Sequence, residues 1–230
     1  ANTPASVTVP EGATGATFTI TTSAVASSTP VIISGVYGGA TETATLTIAP
    51  PALSSVAMNP TSVIGGNSST GTVTITGPAP AGGVAVTLSD DSTAATTPPS
   101  ATVAAGATSA TFTVTTSGVN TGTTVTVTGD YNGSQSGAFT INPPALSSLA
   151  VTPTSVVGGN SSTGTVTLNG PAPSGGAAVA LSSDQGAATV PGSVTVLAGA
   201  TTATFTVDTV AVGSTTTATI TGNFNGSHTA

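Results

Sequence analysis

Gly106-Ala-Thr-Ser-Ala-Thr-Phe-Thr-Val114 decides the fold. Ala110, Phe112 and Val114 fall on every second position, with Thr111 and Thr113 between them. Period two marks a strand with one face buried and the other wet. Threonine, β-branched and half polar, suits the wet face of a pleated surface. Nearly the same stretch stands at Gly12-Ala-Thr-Gly-Ala-Thr-Phe-Thr-Ile20 and at Gly199-Ala-Thr-Thr-Ala-Thr-Phe-Thr-Val207. A strand is therefore expected at all three places. Ala16, Phe18 and Ile20 would face inward in the first copy, and Ala203, Phe205 and Val207 in the last.

Working outward, the whole neighbourhood repeats. Pro51-Ala-Leu-Ser-Ser returns at Pro144, Gly65-Gly-Asn-Ser-Ser-Thr-Gly-Thr-Val-Thr at Gly158, and Gly77-Pro-Ala-Pro at Gly170, each 93 residues later. Phe112 maps to Phe205 and Tyr131 to Phe224. A period this long is one small domain per repeat, because solenoid coils repeat every 20 to 50 residues or so. Three segments follow: 1–50, the C-terminal part of a unit; 51–143, a complete unit; and 144–230, a unit without its last strand. These ends do not coincide with the unit. The chain is read as a window on a longer tandem array, the other reading being a subunit whose ends its neighbours complete.

Within 51–143 the breakers and alternations mark seven strands. They are Leu53–Ile64 (broken at Pro60), Thr70–Thr76, a third through Val84, Val86 and Leu88, a short one at Thr102-Val103, 109–116, Thr123–Gly129, and one ending at Phe139 and Ile141. Gly77-Pro-Ala-Pro-Ala-Gly-Gly83 and the Asp90–Pro99 loop separate them. Seven short strands with turn signals every 8 to 12 residues or so describe an all-β, immunoglobulin-like sandwich. Phe112, Tyr131, Phe139, Phe205 and Phe224 are expected in its cores. The units are joined only by Pro50-Pro51 and Pro143-Pro144. Proline fixes φ, so the links are stiff spacers and the array a semi-rigid rod.

Composition removes whole classes of function. The chain has no Lys or Arg, seven acids, one His, no Cys and a formal charge of −7. Nucleic-acid binding needs cations to displace phosphate counterions. A polybasic membrane patch fails for the same reason, and no run reaches the roughly 18 to 20 apolar residues that span a bilayer. No disulfide can staple the fold, and no Lys/Arg–carboxylate ion pair can form. Stability is left to ladder hydrogen bonds and burial of small apolar side chains. Ser and Thr make up about a third of the chain, and with 29 Gly that leaves little room for helix.

Pro98-Pro-Ser-Ala-Thr-Val-Ala-Ala-Gly-Ala-Thr-Ser-Ala-Thr-Phe-Thr-Val114 and its copies resemble the tandem bacterial immunoglobulin-like repeats of large secreted and cell-surface proteins. Gly77-Pro-Ala-Pro-Ala-Gly-Gly83 with Val86-Thr-Leu-Ser89 is similar to the same group. The resemblance covers the whole chain and rests on structural motifs. It implies an extracellular stalk, adhesin or fibre repeat and carries no functional residues with it. The complete loss of basic residues is this chain's departure from the group.

The reactive groups point the same way. His228, the single histidine, has no counterpart in the preceding unit and is read as a solvated loop residue, not a catalytic base. Asp90-Asp91 becomes Ser183-Asp184, and Asp130 becomes Asn223, so neither pattern keeps the oxygen ligands that Ca²⁺ would need. No catalytic residue, metal ligand or cofactor is expected. Asn67, Asn132, Asn160 and Asn225 each open an Asn-x-Ser/Thr triplet, and are candidate glycosylation sites as well as natural turn residues. Thr111, Thr113 and Thr115 form a ladder without the lysines that usually guard sheet edges. Together these features lead to the expected function: a non-catalytic, self-associating structural repeat of an extracellular filament, stalk or surface layer. Its partners are copies of itself. The alternative is an adhesin-type module recognising glycans or surfaces.

Overall fold

The computed structural model describes residues 1–230 and contains nineteen strands and no helix. The first two, β1 (Thr29–Tyr37) and β2 (Ala40–Ile48), form a hairpin closed by Gly38-Gly39. Both glycines have positive φ, +60° and +86°. That conformation lets a two-residue turn follow the right-handed twist of its strands.

Nine strands follow between residues 53 and 142: β3 (Leu53–Asn59), β4 (Ser62–Ile64), β5 (Ser69–Ile75), β6 (Val84–Asp90), β7 (Ala95–Thr96), β8 (Ser100–Val103), β9 (Ser109–Thr116), β10 (Thr123–Asp130) and β11 (Ser134–Asn142). One sheet runs β3-β5-β9-β7 and the other β4-β11-β10-β6-β8. Two facing sheets in this order are an immunoglobulin-like sandwich. Seven strands were expected. The structure has nine because the first strand is split at Pro60, which has no N–H to donate to a ladder, and because β7 was not foreseen. β4 changes sheets and pairs in parallel with β11, Ile141 opposite Val63. β7 is two residues long, too short for any alternation to show. Elsewhere the alternation holds: Phe112 and Val114 on β9 are buried, and Thr111, Thr113 and Thr115 are exposed. The core holds 20 buried apolar residues, Phe139 and Ile141 among them. Phe112 requires a glycine opposite it. Gly71 lies opposite Phe112 in the β5–β9 register, and a Cβ there would overlap the Phe112 ring. Gly164 and Phe205 repeat the arrangement.

Eight strands build the second sandwich: β12 (Leu146–Thr152), β13 (Ser162–Leu168), β14 (Ala177–Ser183), β15 (Ala188–Thr189), β16 (Ser193–Val196), β17 (Thr202–Thr209), β18 (Ile220–Asn223) and β19 (Ser227–Thr229). Its sheets run β12-β13-β17-β15 and β16-β14-β18-β19 around a smaller core of 13 buried residues. No strand corresponds to β4. The counterpart of β10 is cut to its last four residues, Ile220–Asn223. Both losses have one cause. In the first sandwich β4 and the first half of β10 pair with Ala138–Asn142 of β11, and no residue in this chain fills those positions in the second.

The expected strand at Gly12–Ile20 does not form. Only an isolated bridge, Asn2 with Thr21, ties this region together, and Phe18 is 45% exposed. The reason is the missing neighbour. β9 is held between β5 and β7, and residues 1–50 contain no counterpart of β5. Alternation alone cannot satisfy a strand's backbone groups.

Candidate functional site: the sandwich junction and an open sheet edge

The two sandwiches meet through backbone and two apolar side chains, the Pro171 ring and Ile64. At one end of the first lie the turn Ile64-Gly65-Gly66-Asn67 and the loop that follows β9. Thr116 joins them: its hydroxyl accepts from Gly66 N at 3.0 Å and donates to Asn67 O at 2.6 Å. Gly65 N donates to Asn142 O at 3.0 Å. From the second sandwich comes the turn Gly170-Pro171-Ala172-Pro173. It is held by Ala172 N to Ala200 O at 2.8 Å and Gly199 N to Ala172 O at 2.9 Å. Asn169 anchors its root, its Oδ1 accepting from Ala145 N at 2.9 Å.

Three glycines here leave no room for a side chain of their own. A Cβ on Gly66 would overlap the Pro171 ring, and one on Gly118 would stand 2.5 Å from Pro171 O. One on Gly170 would stand 2.6 Å from Ile64 Cγ2 and 3.1 Å from Gly65 O. Pro144, the last residue of the link, is fully buried. The prolines were legible as stiffeners in the sequence. The reason for the glycines was not, because their partner lies across the junction.

The same loops at the far end of the second sandwich are uncovered. Val157, the counterpart of Ile64, is 77% exposed, and Val210 is 55% exposed. Thr209 ties the turn there as Thr116 does, with Gly159 N at 3.0 Å and Asn160 O at 2.7 Å. Ala211 stands where the first sandwich has Gly118.

Beside these loops a cavity of about 790 Å³ opens along the sheet edge. Val151, Val156, Ala188, Val207, Val212 and Ile220 line it. Their counterparts Met58, Val63, Ala95, Val114, Val119 and Val127 are all buried in one core with Phe139 and Ile141.

The residues singled out from sequence are mostly structural. The Asp90 carboxylate accepts from Ser92 N at 3.2 Å and Thr97 N at 3.1 Å, closing its own loop. Asp91 accepts from Thr126 N at 2.8 Å, and Asp184 from Thr219 N at 2.7 Å. The Thr126 hydrogen bond holds the exposed Asp91 carboxyl below its usual range. No three His, Cys, Asp or Glu residues gather in a group able to hold a metal. His228 is exposed on β19, opposite Gly222. Phe112, Phe139 and Phe205 are buried, and Tyr131 and Phe224 pack partly buried against the cores.

The four Asn-x-Ser/Thr positions fall into two kinds. Asn132 and Asn225 have φ of +50° and +49°, and donate from Nδ2 to Pro51 O and Pro144 O at 2.9 Å. The nitrogen that a sugar would modify is thus a structural donor. Asn67 and Asn160 are exposed in the turns at the sandwich ends.

No family model and no curated protein matches the sequence. Among solved structures, the adhesin FdeC of Escherichia coli aligns at 19% identity and a TM-score of 0.37, over 86% of this chain and 70% of that one. The D0-D1 domain of intimin aligns at 16% and 0.34, over 76% of this chain and 95% of that one. The Yersinia pseudotuberculosis adhesin InvE aligns at 16% and 0.39, over 78% of this chain and 59% of that one.

Proposed function

We propose that this chain is a non-catalytic structural segment of an extracellular filament, stalk or surface layer, built on a 93-residue repeat: a complete unit at 51–143, a unit without its last strand at 144–230, and the end of a further unit at 1–50. Its partners are copies of itself. The observation that carries the reading is the junction, where Gly66 and Gly118 meet Pro171-Ala172, and Gly170 meets Ile64 and Gly65, with no room for a Cβ on any of the three. Backbone packed against backbone and against the Pro171 ring and Ile64, beside a proline link, sets one angle between sandwiches. A chain of such junctions transmits length and direction. The chain has no lysine to guard its sheet edges, which supports lateral association, and the exposed Thr111, Thr113 and Thr115 give β9 a polar outer face. Sugars, where the chain bears them, sit on Asn67 and Asn160, whose side chains are exposed.

Small-angle scattering and electron microscopy of the purified chain test this. Rods with a narrow interdomain angle that associate as concentration rises support the proposal. A broad angle distribution with a monomer at all concentrations overturns it, and glycan-array binding by that monomer would promote the surface-recognising alternative. Intact mass decides the sugars: a bare peptide mass removes them from the reading.

A further inference from the structure

We propose that Asn225 is a deamidation site whose conversion loosens the link between the two sandwiches. The inference rests on the fixed angle proposed above and names the group that holds it. The observation is a clamp on one peptide group. Pro144 O accepts from Asn225 Nδ2 at 2.9 Å, and Ala145 N donates to Asn169 Oδ1, also at 2.9 Å. The Pro144–Ala145 peptide, at the end of the proline link, is thus gripped on both sides by side-chain amides. Leu146 N donates to Phe224 O at 2.8 Å and continues the attachment. The complete sandwich has the same clamp at its own link: Pro51 O accepts from Asn132 Nδ2 at 2.9 Å, and Ala52 N donates to Thr76 Oγ1 at 3.0 Å.

Asn132, Asn169 and Asn225 are each followed by glycine. A glycine carries no Cβ to keep its nitrogen away from the preceding side-chain amide. The reaction consumes only water. Gly226 N attacks Asn225 Cγ and gives up its proton, the Cγ–Nδ2 bond breaks, and ammonia leaves with that proton. Water then opens the cyclic imide, at one carbonyl to aspartate and at the other to isoaspartate.

The two halves of the clamp respond differently. Gly170 is buried in the junction against Ile64 and Gly65, whereas Asn225 and Gly226 are exposed in the β18–β19 turn. Water and base therefore reach Gly226. Asn225 is held at a φ of +49° with its Nδ2 engaged, so the amide must leave Pro144 O before it reacts. Polarity separates the two residues further, because an ionised carboxylate only accepts hydrogen bonds. A carboxylate at 169 still accepts from Ala145 N. A carboxylate at 225 replaces the donor, turns an oxygen towards Pro144 O and leaves that carbonyl unpaired. Pro144 itself is fully buried, so its carbonyl has little other means of being satisfied. Isoaspartate also adds a methylene to the main chain and displaces the turn.

The test uses the full chain. It is aged in mildly alkaline buffer, folded or in concentrated urea, and the mass of the peptide containing Asn225 is followed. Conversion is expected in both, about 2- to 10-fold slower in the folded chain, where one hydrogen bond must first break. No conversion in the folded chain, or equal rates, overturns the proposal. Scattering then reads the link, with the two thermal transitions as the check on folding. Asn225→Asp should broaden the angle between sandwiches, and Asn169→Asp should leave it as it is. Asn225→Ser, which removes the donor at an exposed position without adding charge, should broaden it too. An angle as narrow as the native one in both Asn225 variants overturns this inference alone. Equal broadening by Asn169→Asp does the same, since added charge and not the lost donor would then be acting. A native chain whose angle is already broad overturns the fixed-angle reading together with this one.

Discussion

Replacing Gly71 by alanine should destabilise the first sandwich and leave the second untouched. The new Cβ would fall inside contact distance of three atoms of the Phe112 ring, where ordinary contact begins at 3.4 Å. The ring must back away by about 1 Å from a side chain that is itself core. Overpacking of this size costs about 1–3 kcal/mol. In a domain of this length each kcal/mol moves Tm by about 4–8 °C, so a fall of about 4–24 °C follows. Differential scanning calorimetry reads it directly, because each sandwich has its own core. Gly71→Ala should lower one transition and Gly164→Ala the other. The cause is isolated by adding Phe112→Leu. The smaller side chain gives the methyl room, so the double variant should be more stable than the sum of the singles by about 0.5–3 kcal/mol. If Gly71→Ala leaves Tm unchanged, or the two changes are strictly additive, the ring-over-glycine account is wrong.

Three further outcomes are expected. Ser69 is buried and donates to Pro60 O at 2.8 Å; Ser69→Ala should cost about 1–3 kcal/mol by leaving that carbonyl unpaired, whereas the exposed neighbour Ser68→Ala should change stability by less than about 0.5 kcal/mol in the same denaturant titration. Asp91 is held below its usual pKa of 3.8 by the Thr126 N–H, so its contribution is complete above that value and disappears as pH falls through the lowered one; the stability of Asp91→Ala should depend less on pH below about 4, and an unchanged profile would contradict the assignment. Gly118→Ala places a methyl 2.5 Å from Pro171 O at a position where the second sandwich already carries Ala211; scattering should show a changed or broadened angle between sandwiches with both thermal transitions unmoved, and an unchanged profile would mean that the junction does not depend on this contact.

The candidate site was legible only in pieces. The Asp and Asn positions were visible as turn residues, and the structure shows their work in detail: Asn132 and Asn225 spend their amides on Pro51 O and Pro144 O. The junction glycines could not be read, since Gly66 and Gly118 look like ordinary turn residues until Pro171 is placed against them.

Alternation and recurrence, which are properties of the chain alone, determined the strand faces, the cores and the 93-residue offset. An apolar residue at every second position can bury only one face, whatever surrounds it. What the tertiary structure alone decided is whether such a stretch becomes a strand at all. Gly106–Val114 and Gly12–Ile20 share their pattern, yet only the first forms its strand, Ser109 onward, because only it lies beside β5. Side chains choose a face locally, but a strand's N–H and C=O groups need a second strand, and where that strand comes from is not written in the stretch itself.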